Sequence, residues 1–458
     1  MRKDLQWFLH LCSEEEGLSA EHIHATIRGI DSKIDLHDLL GKLQEAGWIS
    51  DNIHAEEFIK KVNKLSKKKE QPPPLPTPAQ TDLSSECPNF EEWTTLDDAS
   101  LKKNVLEWIE FCQNEGVSDL HLTACSRPRI RQYRKIVYLT ENVLEPALAE
   151  RLNLALLNED QLAFFKKNWD LDYALHLAET EDGTQHRLRV NLIKAREGIS
   201  GVYHMAHPKV CSLEDLEFPN AEKIRNLLSY HNGLILIAGP IGSGKTTTLA
   251  SLLNELNDSR KIHIVTIEDP IEVVQSSKHC IVTQREVGRD TDSFGTALRS
   301  ALREDPDVIV VGEMRDLETI EMAITAAETG HLVIGTLHTR DSASTLGRIL
   351  DVFPSRQQSQ IRAMAADSLR GIICQQLLPA ADGTITLASE LLINNSATAN
   401  IMREGKDSGL ESAMQTGRKQ GMRTMDESIV ELFNKGRISI ETAVQNIKDR
   451  NLLVTEED

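Results

Sequence analysis

The eight residues Gly239-Pro-Ile-Gly-Ser-Gly244-Lys245-Thr246 have the types and spacing of a phosphate cradle. Glycines let backbone N–H groups curl around a β-phosphate at the start of a helix, a lysine offers a point charge to the β and γ oxygens, and a threonine hydroxyl can ligate Mg2+. Gly239, Pro240, Ile241, Gly242, Ser243, Gly244, Lys245, Thr246 and Thr247 are therefore the expected nucleotide contacts. The pattern follows the apolar run GLILIA and precedes Leu249, Leu252, Leu253 and Leu256 on one helical face, so it sits between a buried strand and a helix, the context it requires.

Three more segments could act with it. The run Asp307-Val-Ile-Val-Val-Gly312-Glu313 delivers a carboxylate to a sheet edge, and because Gly312 stands where many P-loop enzymes carry an aspartate, Glu313 is the expected group to polarise water. The run HIVTI ends in Glu268-Asp-Pro-Ile-Glu272, and Glu268 is expected to face Mg2+ with Thr246 and to stand beside the nucleophile. The run HLVIGTL has His331 and His338 at opposite ends, too far apart to share a metal; His338, at the carboxyl end, is expected to sense a γ-phosphate. Singly, a carboxylate after a strand is usually solvated and a histidine usually structural. Together with a phosphate cradle they point to phosphoryl transfer from ATP with Mg2+.

Such residues need a sheet to carry them. The runs LILIAG, HIVTI, DVIVVG and HLVIGTL alternate with helical segments, which predicts a RecA-like α/β domain over 213–385. Upstream, the helix LKKNVLEWIEFCQNEG ends at Gly116 and the short strands DLHL, PRIRQY and RLRVNLI follow, so 99–212 reads as a compact α+β domain. Residues 67–98 are Pro-rich and polar, a semi-rigid linker by composition. Before them, 1–66 set Leu36, Leu39, Leu40 and Leu43, then Phe58, Ile59, Val62 and Leu65 at helical spacing, a small helical module. Residues 386–458 read as a helical C-terminal region, with one helix opening at Thr424, where Glu427 completes a capping box, and closing near Gly436; the tail NLLVTEED is expected to fray.

Bulk properties narrow the class. A chain of 458 residues calls for two to four domains at about 100 to 200 residues each. A net charge of −19 opposes general attraction to nucleic acid, which is not an expected partner. No run approaches the roughly 18 apolar residues of a membrane span, and the start turns acidic too early for a signal peptide, so a cytoplasmic location is expected. The seven cysteines are scattered without a CxxC pair, which argues against a disulfide framework and a zinc knuckle.

The P-loop, the box IVTIEDPIE, the phrase QREVGRD, the segment LREDPDVIVVGEMRD, the box HLVIGTLHT and the upstream phrase GVSDLHL together resemble the secretion and type IV pilus motor ATPase superfamily, nearest its PilT-like retraction motors, over about residues 100 to 440. The resemblance implies a PAS-like α+β domain before the RecA-like one, and a homo-hexameric ring with ATP bound between the two domains. It also implies an inner-membrane pilus platform protein as partner, another retraction or assembly ATPase as a second one, and a place at the inner membrane through the pilus machinery. Assembly and type II secretion relatives carry a four-cysteine zinc module that this chain lacks, which favours the retraction branch. Family members present two arginines to the nucleotide: Arg189 in RLRVN matches the first, and His204 in GVYHM stands at the second. The retraction motif AIRNLIRE is matched by Ala397-Thr-Ala-Asn400-Ile-Met-Arg403-Glu404, with Thr398 and Ala399 replacing its Ile and first Arg. The N-terminal module is an addition suited to binding a protein of unknown identity.

Three readings follow: a hexameric ATPase driving pilus retraction and twitching motility, an assembly, secretion or accessory motor, and a regulatory ring subunit that binds ATP but hardly turns it over. Lys245 is the fixed cation that the P-loop aims at the transferring phosphate, so Lys245→Ala should abolish ATP turnover. Phosphate release measured on purified wild type and variant checks this; equal rates would remove the enzyme assignment.

Overall fold

The computed structural model describes residues 3–453 except 17, 19–22, 24, 25, 27–34, 47, 50–54, 67–86, 91, 180–184 and 206–209. Most of the expected linker over 67–98 and the end of the tail NLLVTEED lie outside the described residues. The chain divides into two compact units, one of residues 1–82, 378–386 and 426–458, the other of residues 83–377 and 387–425.

In the first unit the helices Lys3–Glu16, Leu36–Glu45 and Ala55–Ser66 form because their apolar residues recur at helical spacing. Leu36, Leu39, Leu40, Leu43, Phe58, Ile59 and Val62 are buried with Phe8 and Leu9 in one core, and Phe8 meets Phe58 edge-to-face at 5.5 Å between ring centres. Asp35 caps the second helix by accepting from the His37 N–H at 2.8 Å. The C-terminal part of this unit is tied by Asp426, whose carboxylate accepts from the N–H groups of Lys448 and Asp449. Among the described residues no helix is long and apolar enough to cross a membrane.

The second unit holds the smaller sheet and most of the larger one. The smaller comprises β1 (Asp119–Thr123), β2 (Arg129–Gln132), β3 (Lys135–Tyr138), β4 (Asp170–Glu179), β5 (Gln185–Ala195) and β6 (Gly198–Met205), in the order β3-β2-β1-β6-β5-β4 with every neighbouring pair antiparallel. Strands such as β1 and β2 alternate buried and more exposed residues, as a half-buried sheet does. Leu120, Leu122, Val190, Leu192 and Tyr203 pack into a core with Leu101, Val105, Trp108 and Ile109 of the helix Asp98–Asn114, while Asp119, Arg131, Asp172, Arg189 and His204 stand on the other face.

The larger sheet comprises β7 (Gly233–Ala238), β8 (His263–Glu268), β9 (Ile281–Glu286), β10 (Val308–Val311), β11 (Leu332–Leu337), β12 (Leu369–Pro379) and β13 (Ile385–Ile393), in the order β13-β12-β7-β11-β10-β8-β9. From β12 to β9 every pair is parallel. Every residue of β7, β10 and β11 is buried, which is why these strands read as unbroken apolar runs. Ala238 lies beside Leu337, and Val311 beside both Gly335 and Ile267, so the residues that follow β7, β11, β10 and β8 emerge at one carboxyl edge.

This sheet runs past residue 385, where the sequence reading opens a helical region: β13 is a strand in a largely buried setting. Its Glu390 disguises it, since a charge in mid-run argues against a core strand. The structure satisfies that carboxylate with the N–H and hydroxyl of Ser342, both at 2.7 Å, and the Met425 N–H at 3.2 Å, while burial raises its pKa.

In the small sheet, Asn153 is buried and donates to the carbonyls of Leu122 and Ala149 while accepting from the Tyr203 hydroxyl at 2.9 Å. A Cβ on Gly201 would overlap the Asn153 side-chain oxygen and stand 2.9 Å from a Leu192 methyl carbon. Gly201→Ala should therefore strand the Tyr203 hydroxyl and cost about 2 to 4 kcal/mol of unfolding free energy. Denaturant unfolding checks this, and an unchanged midpoint would show that Asn153 moves freely.

Candidate active site

The P-loop follows β7 and leads into the helix Lys245–Ser259. Gly242 and Gly244 take φ of +70° and +85°, a region that side chains with a Cβ rarely enter, and this turns successive N–H groups to one side. Space over Gly242 is open, since an added Cβ would meet nothing within 4 Å. Behind the loop, the buried Gln375 of β12 donates its side-chain amide to the Ser243 carbonyl at 2.7 Å and so fixes the curl. That contact has no signal in the sequence, because the two residues are far apart in the chain.

Lys245 Nζ donates to the carbonyls of Gly239 at 2.8 Å and Pro240 at 3.0 Å, and lies 3.2 Å from His338 Nδ1. An ammonium can only donate, so His338 Nδ1 accepts and the ring proton sits on Nε2, which faces Glu313 Oε1 at 2.9 Å. Burial and the neighbouring Lys245 charge hold His338 below its ordinary pKa, in keeping with a neutral ring. Burial also lowers Lys245 to about 8, against the attraction of Glu313 and Glu272. Lys245, His338 and Glu313 thus form one hydrogen-bonded chain.

Glu313 is further paired with Arg315, two residues along in GEMRD, a partner the sequence reading passed over. Gly312 before it is explained by space: a Cβ there would stand 3.0 Å from the Ile267 carbonyl and 3.2 Å from Glu268 Cα, so a side chain does not fit without moving backbone. The acid is delivered one residue later instead.

Glu268 stands elsewhere than the sequence reading expects. It is buried at the end of β8, where Oε1 accepts from Thr266 Oγ1 at 2.7 Å and Gln284 Nε2 at 3.1 Å. Burial raises it to about 7. Glu272, four residues on, receives the Thr246 hydroxyl. The chain turns back at Asp269-Pro270, whose peptide bond is cis, and it is Glu272 that the structure brings to the P-loop threonine. Mg2+ keeps several waters and takes phosphate oxygens, so it needs only one or two protein oxygens. Thr246 and Glu272 fit that need, and among the described residues no cluster of three His, Cys, Asp or Glu forms a closed cage.

Of the expected cations in the small sheet, Arg189 donates from Nε to both oxygens of Asp172 at 3.0 Å and feels the carboxylates of Glu272 and Asp269. His204 on β6 lies directly across from Arg189 on β5 and from Asp119 on β1, and its Nδ1 is hydrogen-bonded to Asp119. Burial pushes the Asp119 carboxyl up, but the bonds from His204 and Ser118 outweigh this and leave it low. The structure thus gives His204 a carboxylate partner within its own sheet. Arg187 is buried against Glu286, and Arg196 is exposed beside Glu197.

A P-loop at the carboxyl edge of a RecA-like parallel sheet, with its lysine linked through a histidine to a strand-end glutamate, defines a P-loop ATPase. Residues 95–457 match the family described as Type II/IV secretion system protein, and the chain belongs to that family. It is 42% identical over 345 residues to the type IV pilus retractation ATPase PilT of Pseudomonas aeruginosa, covering 75% of this chain and 98% of that one. It is 44% identical over 290 residues to a twitching motility protein of Neisseria gonorrhoeae, covering 63% of this chain and 76% of that one. The crystal structure of the pilus retraction motor PilT with bound ADP superposes with a TM-score of 0.66 at 41% identity, over 76% of this chain and 97% of that one.

The titrations have opposite senses. Below about 7 Glu268 is protonated and loses its acceptor charge, and above about 8 Lys245 loses the proton that makes it a cation. The kcat/KM for ATP, which reports the free enzyme, should therefore peak between those values and fall on both sides. A profile flat from about pH 6 to 9 would mean that neither group matters in the charge state assigned here.

Proposed function

We propose that this chain hydrolyses ATP in a homo-hexameric ring and couples hydrolysis to retraction of a type IV pilus, and so to twitching motility. The observation that carries hydrolysis, as against passive binding, is the connected chain from Lys245 Nζ through His338 to Glu313. It joins the cation that meets the phosphate to the carboxylate that orients water. Retraction is supported by the likeness to PilT, which extends over nearly all of that protein. The ring acts in the cytoplasm, peripheral to the inner membrane, where a platform protein of the pilus is its partner and a second retraction or assembly ATPase works beside it.

In the proposed cycle the N–H groups from Gly239 to Thr247 hold the phosphates and Lys245 stabilises charge on the transferring group. Glu313 takes the proton of the attacking water, and His338 keeps Glu313 and Lys245 in register. Thr246 and Glu272 would hold Mg2+, which supplies charge neutralisation at the phosphate oxygens. Glu268 acts as an adjacent buried acceptor. Arg189 is the cation that the small sheet offers to the nucleotide. The helical module over 1–66 is proposed as a docking element for a further protein.

Glu313→Gln keeps the shape but removes the carboxylate, so this variant should bind ATP normally and lose hydrolysis by about a hundredfold or more. In the cell that encodes it, deletion of the gene should leave pili on the surface and abolish twitching, with wild type but not Glu313→Gln restoring it. Loss of surface pili on deletion would point to assembly instead. A ring that binds ATP and retracts pili despite Glu313→Gln would refute the motor mechanism.

A further inference from the structure

The phrase QREVGRD has no part in the chemistry above, yet its Glu286 lies at a junction. It ends β9, directly beside Glu268 of β8. Its Oε2 accepts from Arg187 Nη2 at 2.8 Å and from the Ile271 N–H at 3.2 Å. Its own N–H donates to the Asp290 carboxylate at 3.0 Å. Arg187 belongs to β5 of the small sheet, so a single carboxylate oxygen joins that sheet to the loop that carries Glu272.

Stability is a weak reason for such a pair. Both partners are buried, with the Arg187 side chain only 3% exposed and that of Glu286 11%. Removing two charges from water is compensated only by good geometry and full hydrogen bonding, and Arg187 Nε is buried without a hydrogen-bond partner. What the pair does is fix a position. Ile271 is one peptide from Glu272, the residue that receives the Thr246 hydroxyl. A displacement of β5 against β9 therefore moves the Ile271 anchor, and with it the carboxylate beside the P-loop. Arg189, two residues along the same strand, already feels the charges of Glu272 and Asp269, so the small sheet acts on this loop at two points.

We propose that Arg187 and Glu286 are a positioning pair through which the small sheet sets the 268–272 loop for hydrolysis. Intact, the pair keeps Glu272 on Thr246; broken, it lets the loop shift, and turnover falls while nucleotide still binds. The proposal rests on the reading of this chain as an ATP hydrolase.

The test is a double-mutant cycle on the full chain with Arg187→Met, Glu286→Gln and both together, reading kcat and KM for ATP alongside the melting temperature. Each single variant should lower kcat by about ten- to hundredfold, the range of typical couplings between sites, with KM changed by less than about threefold. The double variant should be no worse than the poorer single one, because one link is broken in all three. A purely structural pair would lower the melting temperature and spare kcat, which overturns the proposal. So does an Arg187→Met loss far beyond that of Glu286→Gln, since an arginine acting on phosphate directly would be freed by the amide. Glu286→Gln is nearly isosteric and decides the matter should Arg187→Met fail to fold. Absence of Lys245-dependent turnover in the wild type would sink the hydrolase reading itself, whereas an active wild type with additive variants sinks only the positioning pair.

Discussion

The site depends on keeping one ammonium charged while half removing it from water. Burial lowers Lys245 to about 8 even with the attraction of Glu313 and Glu272 included, and without that attraction it would fall further. Compensation comes from three acceptors, the carbonyls of Gly239 and Pro240 and the Nδ1 of His338, and from the fields of Glu313 and Glu272. These groups come from four parts of the fold. The loop carbonyls follow β7, His338 follows β11, Glu313 follows β10, and Glu272 follows the turn after β8. The strand order β7-β11-β10-β8 is the arrangement that lets all of them reach one nitrogen.

Parallel pairing makes this possible. Neighbouring parallel strands end at the same edge, so unrelated stretches of sequence release their side chains into one crevice. The cost falls on the strands, which are buried on both faces and accept little but aliphatic residues. That is why the segments carrying the chemistry announce themselves so clearly: four apolar runs each end in Gly, Glu or His. The small sheet differs, since strands such as β1 and β2 alternate, and the polar face holds two hydrogen-bonded pairs, Asp119 with His204 and Arg189 with Asp172.

Legibility in the sequence followed from this physics. The P-loop, its flanking strand and helix, and the ends of β8, β10 and β11 were readable because burial permits few residue types there. β13 was not, because Glu390 breaks its apolar pattern and only the distant Ser342 and Met425 make that charge tolerable. The choice between Glu268 and Glu272 was equally hidden. Both are acids at the mouth of a strand, and spacing alone cannot tell which one the turn at Asp269-Pro270 aims at Thr246. Gln375 and the Arg187 to Glu286 pair are tertiary facts, made of residues that carry no pattern of their own, while Arg315 is a local partner of Glu313 that no spacing rule singles out.

Gly312 shows how far a local packing constraint shapes the chemistry. The backbone of β8 passes so close that a Cβ at 312 would press on the Ile267 carbonyl at 3.0 Å, so a side chain there would have to push the neighbouring backbone aside. Moving the acid to 313 carries it beyond the end of β10, where it meets His338 at 2.9 Å instead of lying against β8. The carboxylate is then only 19% exposed, and its Oε1 meets both a histidine that contacts the P-loop lysine and Arg315. A glutamate held in this way is separated from Lys245 by a single imidazole ring. Packing between two neighbouring strands thereby shapes the spacing between the P-loop lysine and the strand-end acid.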